Sequence, residues 1–477
     1  MNDPERVQIR QVVLANPPMR IEQVYGTFSA WGGASPPTGL CYLAGVIREE
    51  GVDVSIVDAE AQGLSGEEAV QEILAHEPQV VGLACKTLWV TNAHELALRL
   101  KERVPGLIVV AGGNHVTALP ERSLKEFPAF DVVVVGEGER TFSELINALN
   151  EGRSLSEVAG LALREGDRVV RTAPRERIRD LDALPFPAFD LLPDLATHYR
   201  PALTSVEKLP AFSIVASRGC PAQCTFCDRA VFGNRVTKHS PEYTVALLRD
   251  LVDRYGIRYL LFDDDNLLLG KKHLFRLLDL MHERHVRLPF SCQSRVDTVD
   301  EERLRRLKEA GCRMILFGVE SGSQSILDAM KKGITVEQVR KAIALTRKFR
   351  IRTQGFFILG YPGETEETMQ QTVQLIHDCR FDDVGVFLFS PLPGSEVYEG
   401  VEEHGDFMED WSKMNSLDEV VFVPNGLTEA QLKEYSDRCY SACYSRSYQA
   451  LSFLKRCTSF AHMKAIVSSV PQLLKGG

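Results

Sequence analysis

The first 150 residues alternate short, nearly continuous runs of Val, Ile and Leu with longer stretches of helical periodicity. Five apolar runs predict strands, at residues 11–18, 52–60, 79–87, 107–115 and 131–139. Strands without polar alternation are buried on both faces, as in a parallel sheet covered by helices on each side. The pattern therefore predicts a doubly wound, Rossmann-like α/β sheet, which would bind ligands at the carboxyl ends of its strands.

Residues 151–205 break this alternation. The stretch GLALREGDRVVRT predicts a short hairpin that turns at residues 165–167, and DLDALPFPAFDLLPD is a connector punctuated by proline. We therefore assign residues 1–150 to the first domain and residues 151–205 to a linker with a hairpin.

A second alternation of strands and helices runs through residues 206–400. Its six strand candidates are FSIVAS, YLLFDDD, PFSCQSR, MILFGVE, TQGFFILG and VGVFLFS. Six such units predict a partial (β/α)6 parallel barrel, whose active site would lie at the carboxyl ends of the strands. Residues 401–477 predict a mostly helical C-terminal region.

Composition narrows the class of protein. Of the 477 residues 44% are hydrophobic and 25% charged, as in soluble globular proteins, and the formal net charge is −10. Such a chain has no broad basic field for a phosphate backbone, so we expect no nucleic-acid partner. We see no signal peptide and no apolar run of about 18 residues, which predicts a cytoplasmic protein. Eleven irregularly spaced cysteines indicate thiols and metal ligands, not a disulfide framework.

Three cysteines, Cys220, Cys224 and Cys227, fall within eight positions of the loop that follows the first barrel strand. Three thiolates suit a [4Fe–4S] cluster in which one iron lacks a protein ligand. One alternative is a structural zinc site completed by His239, although the spacing does not resemble paired CxxC knuckles. Unliganded core cysteines are the other alternative, and the arginines beside the loop argue for ligation instead.

The five later barrel strands also end in polar or glycine-rich segments: FDDDNL, CQSRVD, FGVESGS, ILGYPGET and FSPLPGSE. A charged cofactor with a ribose needs carboxylates for its hydroxyls, an arginine for its carboxylate and glycines for close backbone approach. Any one segment could be a turn or a helix cap. Five consecutive strand ends of this kind predict a cofactor site at the mouth of the barrel.

Two sets of motifs resemble known proteins. CxxxCxxC with Phe226 before its third cysteine, together with GVESGS, GYPGET and SPLPGSE, resembles the radical S-adenosylmethionine (SAM) enzymes. NPP, PPTGLCYLAG, GGNHVT and VVGEGERTFSELI resemble the cobalamin-binding domain that precedes the barrel in part of that family. The resemblance covers about residues 8–400. It implies three cofactors: a [4Fe–4S] cluster, SAM and cobalamin.

The resemblance also implies roles for single residues. The three cysteines would ligate the cluster, and SAM would supply the missing ligand. Phe226 would contact the adenine of SAM, and Glu320 would hold its ribose or amino group. Asp264 would lie near SAM or the substrate. The other implied SAM contacts are Arg295, Ser321, Gly360, Ser390 and Pro391. The implied cobalamin contacts are Pro36, Gly39, Gly112, Gly113, His115, Thr117, Gly136, Glu137 and Gly138. The motif DxHxxG is missing, so we expect no histidine below the cobalt, and His115 to contact the nucleotide tail or a loop.

The implied reaction starts with one electron passing from the cluster to SAM, which yields a 5′-deoxyadenosyl radical that removes hydrogen from an unactivated carbon. Methylcobalamin would then deliver a methyl group, so we expect methylation of a hydrophobic small molecule or lipid. Oxidative cyclisation or carbon–carbon bond formation is the alternative. An oxidoreductase or binding module with a structural cluster would leave the strand-end motifs unexplained. The resemblance further implies an electron donor such as flavodoxin or ferredoxin.

The C-terminal tail, residues 450–477, contains four Lys or Arg residues and no acid. A basic amphipathic helix can lie on an anionic membrane surface, so we expect either peripheral membrane contact or a terminal helix docked on the barrel. Cys439, Cys443 and Cys457 could ligate a second cluster, but thiols packed on a helix are the simpler expectation.

Overall fold

A seven-stranded sheet forms the N-terminal part of the molecule, for which a computed structural model describes residues 8–199, 201 and 206–444. Its strands are β1 Gln11–Asn16, β2 Asp53–Asp58, β3 Val80–Ala84, β4 Ile108–Gly112, β5 Val132–Val134, β6 Leu161–Glu165 and β7 Arg168–Arg171. Their order is β2-β1-β3-β4-β5-β6-β7, and the first five are parallel. The predicted hairpin forms, and it extends this sheet because β6 pairs antiparallel with β5.

Helices cover both faces of this sheet. They are α1 Ile21–Tyr25, α2 Thr38–Glu49, α3 Ala59–Gln62, α4 Gly66–Leu74, α5 Val90–Arg103, α6 Asn114–Ala118, α7 Pro120–Glu126 and α8 Gly138–Glu151. Successive residues of β1 face different cores, since Leu14 packs with α2 and α8 and Val13 packs with α4 and α5. This confirms the doubly wound sheet, and the strand order places its switch point between β1 and β3.

A six-stranded parallel sheet forms the second half of the molecule. Its strands are β8 Ala211–Ile214, β11 Tyr259–Phe262, β12 Phe290–Ser294, β13 Cys312–Glu320, β14 Arg352–Leu359 and β15 Asp383–Leu388, in the order β15-β14-β13-β12-β11-β8. A short antiparallel pair, β9 Ser217–Arg218 and β10 Thr237–Lys238, closes the base of the cysteine loop. All six predicted barrel strands are present, which confirms the partial barrel.

Helices alternate with the barrel strands along the chain. They are α10 Pro241–Tyr255, α11 Lys271–Glu283, α12 Glu301–Ala310, α13 Gln324–Ala329, α14 Val336–Lys348 and α15 Glu366–Cys379, with α9 Leu195–His198 in the linker. Local sequence sets their ends. Helix α10, for example, starts at an N-cap Ser240 followed by proline and stops at Gly256 in the left-handed conformation.

The described part of the C-terminal region is less helical than the sequence pattern predicts. A two-stranded ribbon, β16 Gly405–Phe407 with β17 Phe422–Pro424, precedes helix α16 Glu429–Tyr444, which packs on β15 and α15. Cys439 and Cys443 are buried in this contact, in agreement with packed helix thiols. Cys457 and the tail at residues 450–477 lie outside the described residues. Within the described ranges, none of the helices is long and apolar enough to cross a membrane.

Candidate functional site

The carboxyl ends of the two sheets enclose a cavity of about 500 Å³, which we call the interdomain cavity. The first sheet contributes the ends of β1, β3, β4 and β5 and the start of α2, and the barrel contributes the ends of β8 and β11. Of the predicted cobalamin contacts, seven line it: Pro36, Gly39, Gly112, Gly113, Gly136, Glu137 and Gly138. Both domains thus contribute walls to one space.

Two glycines of this cavity, Gly113 and Gly39, have different physical reasons for lacking a side chain. A side chain at Gly113 would meet the Cys85 carbonyl oxygen at 2.8 Å, so packing and its φ of +125° explain that glycine. Gly39 lies in the first turn of α2 with no unusual φ, and no atom lies within 4 Å of the point that a Cβ would occupy. Glycine costs a helix roughly 0.5–1 kcal/mol relative to alanine. The open space at Gly39 therefore fits a large ligand that approaches the backbone.

Two predicted cobalamin contacts, His115 and Thr117, do not line the cavity. The Gly136 N–H donates to the Thr117 hydroxyl at 3.1 Å, so Thr117 supports the turn after β5. His115 is buried edge-on against Trp411, with ring centroids 4.8 Å apart. Burial lowers its pKa to about 4, and its ring nitrogens have no hydrogen-bond partner within the described part of the chain.

Glu137 lines the cavity, but its carboxylate joins the two domains. Arg218 Nη1 lies 3.1 Å from Glu137 Oε1, and its Nη2 lies 2.6 Å from Glu139 Oε1. The second Glu137 oxygen accepts a 2.9 Å hydrogen bond from the Ile178 N–H, and the Arg218 guanidinium lies 5.0 Å from the Tyr42 ring centroid. We call Arg218, Glu137 and Glu139 the domain clamp. All three side chains are buried.

A second cavity, of about 410 Å³, lies in the mouth of the barrel, and we call it the barrel cavity. Cys220, Cys224 and Cys227 all line it, as do four of the predicted SAM contacts: Phe226, Arg295, Glu320 and Ser390. Burial, together with the nearby Asp265 carboxylate and the other two cysteines, raises the pKa of the Cys227 thiol to about 12. Bound iron would reverse this preference, because a coordinating thiol is deprotonated. The loop thus brings the three predicted ligands to one space.

The zinc alternative is not compatible with the position of His239. Its Nδ1 lies 3.0 Å from Asp182, its Nε2 lies 3.0 Å from the Tyr42 hydroxyl, and its ring stacks on Tyr243 at 4.0 Å. In residues 8–444 as far as they are described, no three His, Cys, Asp or Glu side chains converge on a single-ion geometry. A four-iron cluster takes each thiolate at a different iron and does not need that convergence.

Glu320 has a strained backbone and a buried partner. Its φ is +72°, and its Oε1 accepts a 2.6 Å charged hydrogen bond from Lys332 Nζ. A Cβ at Gly318 would lie 2.6 Å from the same oxygen, so this glycine leaves room for the pair. Positive φ at a non-glycine residue costs about 1–3 kcal/mol and is concentrated at functional sites. Lys332, which sequence reasoning missed, lies 12 positions beyond Glu320 on the far side of α13.

Hydrogen bonds hold the Arg295 side chain in position in the same cavity. Its guanidinium donates to Asp297 and, through Nη2, to the Lys332 carbonyl oxygen at 2.8 Å, and Nη1 lies 4.0 Å from Cys224 Sγ. A positioned guanidinium next to the cysteines suits a carboxylate ligand, such as that of SAM.

The other predicted SAM contacts, Asp264, Ser321, Gly360 and Pro391, do not line the barrel cavity. Asp264 is buried beneath the strand ends, where it accepts hydrogen bonds from the Ala216 N–H at 3.1 Å and from the Ser217 hydroxyl. Burial raises its pKa to about 6. Gly360 donates its N–H to Glu364, and Ser321 accepts from the Ser323 N–H. Asp264, Ser321 and Gly360 thus support the site from behind.

Comparisons with known proteins agree with this architecture. The radical SAM superfamily model matches residues 214–376, and the B12 binding domain model matches residues 28–146. An uncharacterized methyltransferase from Pyrococcus horikoshii is 33% identical, over 92% of this chain and 94% of the relative. A cytidylyl-2-hydroxyethylphosphonate methyltransferase from Streptomyces wedmorensis is 28% identical over 86% and 87%. An anaerobic magnesium-protoporphyrin IX monomethyl ester cyclase from Cereibacter sphaeroides is 28% identical over 87% and 68%.

Solved structures share the fold. OxsB, a cobalamin-dependent SAM radical enzyme solved with aqua-cobalamin and SAM, superposes with a TM-score of 0.74 at 18% identity, over 98% of this chain and 71% of that chain. TsrM from Kitasatospora setae, a radical SAM methyltransferase solved with cobalamin and a [4Fe–4S] cluster, gives 0.69 at 19% identity, over 92% and 89%.

The barrel and its three-cysteine cavity define a radical SAM enzyme. With the N-terminal sheet included, the chain belongs to the cobalamin-binding radical SAM family, and its cofactors are a [4Fe–4S] cluster, SAM and cobalamin. The residues present fit all three. The cysteines share one cavity, the Arg295 and Glu320–Lys332 side chains offer charged groups to SAM beside them, and the open glycine at position 39 leaves space for a corrin.

Proposed function

We propose that this protein methylates an unactivated carbon of a hydrophobic small molecule. The observation that carries the proposal is the contact of the two cavities at Asp265, which lines both. A substrate at that junction is within reach of both cofactor sites. When bound, the cluster and SAM supply radical chemistry in the barrel cavity, and cobalamin supplies methyl transfer in the interdomain cavity.

The residues of this chain bind the cofactors, orient them and shield the reaction from water. The three cysteines hold the cluster, and Arg295, Glu320 and Lys332 orient the charged end of SAM beside it. The remaining wall of the barrel cavity is largely apolar: Leu316, Phe356, Ile358, Phe387, Phe389 and Leu392. Such a wall excludes water from a reactive centre and accommodates an apolar substrate skeleton.

Oxidative cyclisation is the second candidate function. Its support is the relative from Cereibacter sphaeroides, a cyclase that is as similar to this chain, at 28% identity, as the methyltransferase from Streptomyces wedmorensis. Both candidates use the same cysteine loop and the same first radical step. They differ in whether a methyl group reaches the product.

Product analysis separates the two candidates. The reconstituted, reduced holoenzyme is incubated anaerobically with SAM and a metabolite extract, and small products are identified by mass spectrometry. Methylation predicts a product heavier by one methylene, with both S-adenosylhomocysteine and 5′-deoxyadenosine. Cyclisation predicts 5′-deoxyadenosine alone, and the absence of both compounds would contradict either function. We expect Ala at Cys220, Cys224 or Cys227 to abolish 5′-deoxyadenosine formation, whereas Cys379→Ala, on α15 away from both cavities, is the control and should retain it.

A lipid substrate and an electron donor such as flavodoxin or ferredoxin remain predictions from the resemblance. Deletion of residues 450–477 tests the lipid idea through sedimentation with anionic liposomes. Binding that is lost on deletion would support a tail that lies on a membrane, and equal sedimentation of both proteins would remove that support.

A further inference from the structure

One segment of the C-terminal region, residues 411–418, runs along the first domain to the mouth of the barrel, and we call it the strap. At its start, the Trp411 Nε1 donates a 3.2 Å hydrogen bond to Glu126 of α7. At its end, Asp418 Oδ2 accepts a 2.9 Å hydrogen bond from the Thr27 N–H, just after α1. The strap is thus held on the first domain at both ends.

Between these two contacts, Ser416 has a strained backbone. Its φ is +59°, in the left-handed region that a residue with a side chain rarely adopts. The Leu388 N–H at the end of β15 donates to the Ser416 carbonyl oxygen at 2.7 Å. This bond does not involve the Ser416 side chain, and a glycine would take the same conformation without strain. Strain of this kind is concentrated at functional sites, so a serine at this position indicates a role for its side chain.

Ser416 lies in the wall of the barrel cavity. Among the residues that the structure describes, it is the only one beyond Leu392 that lines this cavity. Its hydroxyl donates to the hydroxyl of the buried Ser390 at 3.0 Å. A hydroxyl has one hydrogen and two lone pairs, and no described residue donates a hydrogen bond to the Ser416 hydroxyl oxygen. The serine therefore offers an oriented acceptor to a molecule in the cavity.

The surroundings of Ser416 favour a neutral donor. The cavity residues next to its partner Ser390 along the chain are apolar: Leu388, Phe389 and Leu392. The two carboxylates of the cavity, Glu320 and Asp265, follow β13 and β11, which are two and four strands from β15, or about 10 and 19 Å along the sheet. A protonated amine at Ser416 would thus lack a compensating carboxylate beside an apolar wall, which is costly. A hydroxyl or an amide N–H is satisfied by the single acceptor.

The position of the strap favours the substrate as the bound molecule. The radical SAM model ends at residue 376 and the B12 binding model at residue 146, so the strap lies beyond both matched domains. The side chains that would orient the charged end of SAM, Arg295 and Glu320, follow β12 and β13, whereas Ser416 is bonded to the end of β15. Its part of the wall is the apolar one.

We propose that Ser416 accepts a hydrogen bond from a neutral donor of the substrate, a hydroxyl or an amide N–H, and so selects and orients the substrate in the barrel cavity. This inference rests on the proposed function, because it takes the molecule beside the apolar wall to be the substrate. It names the substrate class: a largely apolar molecule that carries a hydroxyl or amide group.

Matched probes test this assignment without turnover. The anaerobic holoenzyme, loaded with cluster, SAM and cobalamin, is titrated with 3-phenylpropanol, its methyl ether and 3-phenylpropylamine, and dissociation constants are measured calorimetrically. We expect the alcohol to bind at least about fivefold more tightly than the ether, which has no hydrogen to donate. The protonated amine should also bind more weakly than the alcohol, because its charge has no partner at Ser416.

Two substitutions separate the Ser416 hydroxyl from its backbone. Ser416→Ala and Ser416→Gly should both remove the preference for the alcohol and leave the affinities for SAM and cobalamin unchanged. Ser416→Gly also relieves the positive φ, so its midpoint of urea unfolding should equal or exceed that of the unsubstituted protein. Ser412→Ala, at an exposed serine of the strap that does not line the cavity, is the control and should keep the preference.

Other outcomes of these measurements overturn the inference. Equal affinity for the alcohol and the ether, or no measurable binding of either, would show that the cavity does not select a donor. A preference kept in Ser416→Ala would place the selection elsewhere, and a loss of SAM affinity in that variant would assign Ser416 to the cofactor. A lower unfolding midpoint in Ser416→Gly, or a preference lost in Ser412→Ala, would assign Ser416 to the structure of the strap.

Turnover distinguishes this inference from the proposed function. Selection of the alcohol through Ser416 in a protein that transfers no methyl group would refute the proposed function alone. Methylation of a substrate without a hydroxyl or amide group would refute this inference alone.

Discussion

The domain clamp offers a direct test of how the two halves are held together. In Arg218→Met, two buried carboxylates lose their cation, because the exposed fraction of the side chain is 8% for Arg218, 3% for Glu137 and 6% for Glu139. Removing one partner of a buried ion pair costs about 3–5 kcal/mol, most of it from the charge left behind. We therefore expect Arg218→Met to lower the free energy of unfolding by this amount and to weaken cobalamin binding, since the cavity lies between the domains.

The assay is urea unfolding of the reconstituted protein, with the free energy taken from the first transition. Arg103→Met is the control, because its ion pair with Glu67 at 2.8 Å is about half exposed and is worth at most about 1 kcal/mol. The triple variant with Glu137→Gln and Glu139→Gln removes the uncompensated charges and should recover most of the loss. An Arg218→Met protein as stable as Arg103→Met would refute the reasoning.

Three further predictions concern single positions. Gly39→Val should weaken cobalamin binding at least about tenfold by filling space that the ligand needs. The control is Gly106→Val, at an exposed loop glycine with equally open surroundings, and it should leave cobalamin binding unchanged. Equal cobalamin affinities of the two variants would contradict the assignment of Gly39 to the cobalamin site. Burial raises the pKa of Glu364 to about 8, so its contribution to stability is complete below about pH 4.5 and is lost as the pH rises towards 8. Glu364→Gln should therefore flatten the dependence of the free energy of unfolding on pH in that window. An unchanged slope would contradict the raised pKa of Glu364. Lys332→Met leaves Glu320 buried without its cation and should weaken SAM binding, measured by equilibrium dialysis, while cobalamin binding stays the same.

The strands and their functional ends could be predicted from sequence for a physical reason. In both sheets the strands are parallel and buried on both faces, so each one is an apolar run, and its carboxyl end is the next polar or glycine-rich segment. The three cysteines follow one such run and need only a loop to meet. The same logic finds Arg295 and Glu320, whose side chains stand at the ends of β12 and β13.

The orientation of individual side chains could not be predicted in the same way. Of three consecutive aspartates, Asp264 was the predicted contact, yet Asp264 is buried, while Asp263 lines the interdomain cavity and Asp265 lines both cavities. Strand β11 ends at Phe262, so the alternation of faces no longer determines where these side chains point. Glu137 belongs to a segment typical of ligand-binding turns, but its partner Arg218 is 81 positions away and only the packing of the two domains reveals it. The ribbon before α16 was missed because its strands have three residues each, too few to establish a period.

The contacts around the cysteine loop explain how two cofactor sites on separate sheets keep a fixed relation. Before the first cysteine, Ser217 donates to Asp264 of the barrel and Arg218 pairs with the first domain. After the last cysteine, Asn114 at the start of α6 donates to Asp228 at 3.0 Å. The cysteine loop is thus fastened at both ends to the first domain. These bonds connect the barrel to the first domain directly, in addition to the covalent linker.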